Sequence, residues 1–62
     1  MLAVWYLHKV DQCGRLAEAA TDPRDRSRYI SERREWLQIL AREIGVDVEL
    51  LEAKLLLMDE LH

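Results

Sequence analysis

The residues able to do chemistry are few and scattered. Cys13 is the one thiol and His8 and His62 the two imidazoles, and neither histidine has a cysteine or carboxylate at metal-ligand spacing. His8 with Asp11 or Gln12 is an exposed helical neighbourhood and nothing more. Cys13 could be a reactive thiol or could cross-link a symmetric dimer. Its place in a heptad-spaced apolar stripe instead assigns it as a small buried hydrophobe. No Ser–His–Asp or Cys–His arrangement, Gly-rich phosphate loop or carboxylate pair held in a cleft can be found. The expectation is no catalytic residue, no cofactor site, no metal site and no enzyme.

Arginines are the other candidates. Arg24, Arg26, Arg28, Arg33, Arg34 and Arg42 make the middle of the chain look basic, and Arg24, Arg28 and Arg34 are the residues that would meet a nucleic acid. Asp22, Asp25, Glu32, Glu35 and Glu43 are interleaved with them, so helical pairs such as Arg28 with Glu32 account for the pattern. Arg33 is different, because it projects near the middle of an apolar face flanked by Tyr29, Ile30, Trp36 and Leu37. Its stem could lie along a groove with the guanidinium in water. Alternatively it stacks on Trp36 or Tyr29, or pairs with a carboxylate across an interface.

These residues need helices to position them, and the clearest punctuation is Ala20-Thr21-Asp22-Pro23-Arg24-Asp25. Asp22 can cap a helix that begins at Pro23, where the missing N–H is one no helix uses, and Asp25 suits the positive end of the dipole. Before this break, Tyr6, Val10, Cys13, Ala17 and Ala20 recur at spacings of 4, 3, 4 and 3, which predicts a helix over about 2–20. Its small residues lie toward the turn, its bulky ones (Trp5, Tyr6, Leu7) at the open end. Trp5 and Val4 sit off the stripe, free for other contacts. After the break, Tyr29, Ile30, Trp36, Leu37, Leu40 and Ile44 share one face of a helix over about 23–44, ended by Gly45. Matched lengths and a short connection predict an antiparallel hairpin, with Trp36 near Leu7 and Leu40 near Ala3 and Val4.

Asp47 can cap a third helix over about 48–61, with Val46 and Leu51 spaced as a hydrophobic staple. Leu50, Leu51, Leu55, Leu56, Leu57, Met58 and Leu61 cover more than half of its circumference. A short helix that is apolar nearly all round needs a surrounding core or another chain. The expected fold is therefore all-α: one small domain comprising a hairpin (1–45) and a leucine-rich helix (46–62), and oligomeric.

Composition agrees. The 62 residues are 50% hydrophobic with no Phe, two Gly and one Pro, which favours helix. A chain this short buries only about 60% of its unfolded surface, so it is marginal alone. A charged fraction of 34% and the lack of an apolar run near the roughly 18 residues a span needs argue against a membrane protein. Met1–Val10 is apolar but lacks a basic start and a cleavage site, so no signal peptide is expected. A single cysteine suggests a reducing compartment, most simply the cytoplasm. The net charge of −3 is uneven: residues 1–45 carry 8 basic and 7 acidic side chains, while 46–62 carry 1 and 5.

The run from Cys13 through Leu16-Ala17, Ala20 and Asp22-Pro23 to Arg26, followed by Trp36-Leu37 and Ala41, resembles small bacterial helical-hairpin proteins with a C-x-x-L-A-x-x-A-x-D-P-x-x-R pattern and a later W-L-x-x-A-like stretch. The resemblance covers residues 5–43. That family has no established activity and implies no site residues, and the leucine-rich 46–62 segment lies outside it.

Three functions follow as expectations. The first is a protein–protein interaction module that forms a homodimer or higher homo-oligomer through Trp5, Trp36, Leu51, Leu55 and Met58. The second is a small dimeric nucleic-acid regulator using the arginines of residues 24–34, which the balanced charge disfavours. The third is an adaptor whose last helix docks on a larger protein through Leu51, Leu55 and Met58.

Overall fold

The structure is a computed structural model, and it describes residues 2–60. Three helices follow one another: α1 (Leu2–Ala19), α2 (Pro23–Ile44) and α3 (Val48–Glu60). The fold is all-α, a hairpin of two long helices with a short third. Leu61, expected in the third helix, lies outside the described residues.

Local chemistry sets each boundary. Asp22 takes an extended conformation and its Oδ1 accepts from the Arg24 N–H at 2.8 Å, with Pro23 opening α2 and Asp25 in the first turn. α1 has no glycine to end it, and it closes one residue earlier than its apolar spacing suggests. One carbonyl just past its end finds a side-chain donor: Arg26 of α2 reaches back and donates to the Ala20 carbonyl at 3.0 Å. Arg26 thus ties the start of one helix to the end of the other. At the far end of α2, Gly45 adopts φ 74°, ψ 35°, and the Val46 N–H bonds to the Ala41 carbonyl at 3.0 Å, the 6→1 bond of a Schellman turn. Asp47 then caps α3, its Oδ1 accepting from the Glu49 N–H at 2.8 Å.

The core lies along the hairpin seam. Val10, Leu37, Leu40, Ala41 and Leu51 form one buried cluster, with Ala3, Tyr6, Trp36, Val46, Val48 and Leu55 packed on it. Val46 and Leu51, the expected staple pair, both join it. Cys13 and Ala17 are buried nearer the turn, where small side chains let α2 come close. Leu37, at 1% exposed, is the most deeply buried large side chain. Burying it is worth about 2–3 kcal/mol by area.

The aromatic side chains gather at the open end. Trp36 meets Trp5 edge-on at 5.3 Å between ring centroids and Tyr6 at 6.0 Å. Trp5 and Tyr6 are themselves 5.6 Å apart, so the three rings form one cluster. Ile30 and Ile44, which share the periodic face of α2, are both about half exposed. The reason is that α3 crosses only part of this face. Its backbone packs on α2 and not on α1.

Candidate functional site

Because α1 and α3 both rest on α2 without closing on each other, a groove of about 1090 Å³ runs between them. One wall is a stripe of α1 at spacings of 3 and 4: Val4, Leu7, Asp11, Gly14 and Glu18. The opposite wall is Glu52, Leu55, Leu56 and Met58 of α3, and Ile30 and Arg33 of α2 lie at the floor. At the open end a recess of about 220 Å³ is lined solely by apolar side chains, including Ala3, Leu40 and Ile44. The groove is polar toward the turn and oily toward the open end. The α1 stripe is legible in the sequence as a second, weaker heptad, hidden there by the stronger one through Tyr6, Val10 and Cys13.

Arg33 is the pivot of the polar half. Its Nη1 donates to Glu52 Oε1 at 3.0 Å, a part-buried ion pair from α2 to α3. The guanidinium is neither left in water nor stacked on Trp36 or Tyr29; its partner carboxylate is on the same chain. This pair ties α3 to α2, and with both partners in reach of solvent its energy is modest. A double-mutant cycle with Arg33→Met and Glu52→Gln, read by urea unfolding, should give a coupling of about 0.5 kcal/mol.

Gly14 lies beneath the same arginine. A Cβ built there would sit 3.6 Å from Arg33 Nε and 3.7 Å from Cδ, ordinary contact with a flexible side chain. Nothing in the groove requires glycine at this position. Gly14→Ala should therefore stabilise the chain by about 0.5–1 kcal/mol through helix propensity. A rise of several degrees in Tm is the expected reading, and a fall would mean that another backbone approaches here.

Cys13 is a free thiol, 6% exposed. Burial pushes its pKa up and the Glu32 charge adds to that, with Lys9 and Arg33 opposing. The folded state thus favours the protonated thiol. Stability from this group is complete below the unfolded thiol's pKa of about 8.5 and is lost as pH rises through the higher folded value. Iodoacetamide at pH 8 should label the folded chain far more slowly than the urea-unfolded chain. Equal rates would show Cys13 to be accessible.

The residues expected at an interface separate into three places. Leu51 is 8% exposed and belongs to the chain's own core. Trp36 is half-buried in the aromatic cluster, while Trp5 is 49% exposed beside it. Trp5 lies roughly 160° around α1 from Leu7, at 100° per residue, so it faces away from the groove. Leu55, half-buried, and Met58, exposed, line the groove.

On α3, Leu50, Leu56, Leu57 and Met58 are each more than half exposed. Leu50 and Leu57 point roughly 140–160° away from Leu55, again at 100° per residue, and form an outer apolar stripe with Ala53.

Arg24, Arg28 and Arg34 are all exposed. They do not make one basic surface. Arg28 sits over the Tyr29 ring at 5.1 Å and reaches Asp25 at 3.9 Å, not Glu32. Arg34 is on a different side of α2 from Arg24 and Arg28, about 80–120° round. Among the described residues no group of three His, Cys, Asp or Glu side chains is placed to hold a metal, and no helix is long and apolar enough to cross a membrane. His8 is exposed, and His62 lies outside the described residues.

No family model, curated protein or solved structure matches the chain. Its surfaces must speak for its function. Their extent is unusual: the chain exposes 5106 Å². A compact monomer of 7.3 kDa exposes about 4,200 Å² by the usual mass scaling, so the excess is roughly 900 Å².

Proposed function

We propose that this chain is a non-enzymatic helical interaction module that works as a homo-oligomer, most simply a dimer. The observation that carries this reading is the roughly 900 Å² of surplus surface, on a chain that exposes Leu50, Leu56, Leu57 and Met58 of α3 and Val4 and Leu7 across the groove from it. Two copies each covering that surplus would bury about 1,800 Å² in total, within the range of stable, specific interfaces. Apolar burial at about 25 cal/mol per Å² supplies the stabilisation that a chain this short lacks alone. The buried, protonated thiol suits a reducing compartment, and we place the protein in the cytoplasm on that ground.

Light scattering across a dilution series tests the reading. The expected mass is twice the 7.3 kDa of the monomer at micromolar concentration, falling toward one chain on dilution. A well-folded monomer throughout would sink it. The nucleic-acid alternative predicts a steep loss of duplex binding with salt, and the divided placement of Arg24, Arg28 and Arg34 gives it no support.

A further inference from the structure

Resting on that reading, we infer that the groove between α1 and α3 is where the second copy docks, and that its occupant is the partner's α3, inserted by the outer stripe Leu50–Ala53–Leu57, reciprocally about a two-fold axis. Four features point to this occupant. The lengths match: the α1 wall from Val4 to Glu18 runs about 21 Å and the 13 residues of α3 about 20 Å, at 1.5 Å per residue. The chemistry matches, since Leu50 and Leu57 are 51% and 60% exposed and the groove presents Val4, Leu7, Leu56 and Met58.

The symmetry closes as well. The outer stripe lies on the side of α3 opposite Leu55, so the chain's own groove leaves it free for a partner. An exchange in which each copy's α3 takes the other's groove is an isologous contact that ends at two copies. The area is the last feature. An exchange of two helices over two grooves can cover a surplus of roughly 900 Å² per chain, the size of one side of a standard interface. Trp5 and Leu16, on the far side of α1, stay outside this contact.

The test uses the full chain with three substitutions at side chains already exposed in the single chain. Val4→Glu and Leu57→Glu should each raise the dimer dissociation constant at least tenfold by light scattering or sedimentation, while far-ultraviolet circular dichroism reports retained helix. Leu16→Glu, 41% exposed in the parent but lining neither the groove nor the recess, should leave the constant within twofold. In a Cys13→Ser background, a mixture of Val4→Cys chains with Leu57→Cys chains should form a disulfide-linked heterodimer on mild oxidation with diamide. A Val4→Cys and Leu16→Cys mixture should not.

A dimer that survives Val4→Glu and Leu57→Glu, or that Leu16→Glu dissociates, overturns the groove as the docking site while leaving the dimer reading intact. A parent chain that stays monomeric overturns both.

Discussion

Leu37→Ala should cost about 3 kcal/mol and leave little folded chain at 37 °C. Leu37 is 1% exposed and sits in the cluster with Val10, Leu40, Ala41 and Leu51, so it touches all three helices' shared core. Removing a buried leucine to its Cβ costs about 2–5 kcal/mol, the lost transfer energy plus a cavity that the surroundings only partly refill. At roughly 0.05–0.15 kcal/mol per residue, 62 residues support about 3–9 kcal/mol in all. The loss is therefore a large share of the total. Urea unfolding followed by circular dichroism at one fixed chain concentration gives the number, since association shifts apparent stability. Leu16→Ala, at a side chain 41% exposed and outside the groove, is the control and should change stability by less than about 0.5 kcal/mol. Equal losses at the two positions would mean that the packing of α2 is not as described.

Leu37 was open to discovery in the sequence, and Leu57 was not open to placement, for one physical reason. α1 and α2 are amphipathic with a single strong apolar stripe, so period and face coincide. Their ends carry self-sufficient signals, Asp22-Pro23 and Gly45, that act through backbone hydrogen bonds within a few residues. Such features need no knowledge of the rest of the chain.

α3 is the reverse case. With Leu50, Leu51, Leu55, Leu56, Leu57 and Met58 spread around it, hydrophobicity does not select an inward side. Leu51 is marked by its staple spacing to Val46, and both join the core. The rest of the helix has no such local mark, and the contact of Glu52 with Arg33 spans 19 positions of sequence. The same long-range dependence hid the groove, whose walls come from opposite ends of the sequence. The cluster of Trp5, Tyr6 and Trp36 likewise joins distant positions, and edge-to-face ring contacts are favourable by about 0.5–1.5 kcal/mol beyond area.

If Gly45 holds the direction of α3, then Gly45→Val should cost about 1–2 kcal/mol, and Gly45→Asn clearly less. The left-handed conformation at φ 74° is open to glycine and tolerated by asparagine, but strained for a β-branched residue. No atom lies within 4 Å of a Cβ built at this position, so the difference between the variants comes from backbone strain and not from a clash. Valine resolves the strain by leaving the left-handed region, which breaks the Val46-to-Ala41 hydrogen bond and turns the chain away from α2. Val46, Val48 and Leu51 would then lift from Leu40 and Ala41, and Glu52 would part from Arg33. The hairpin, capped separately by Asp22 and Arg26, would remain. Hydrogen exchange can see this division: amides of residues 51–58 should lose protection in Gly45→Val while those around Val10 and Leu37 keep theirs. On the proposed docking of α3, the same variant should also weaken the dimer, because the helix presented to the partner no longer has a fixed orientation. Uniform loss of protection across all three helices would show instead that α3 and the hairpin unfold as one unit, with the Gly45 turn holding no separable part of the fold.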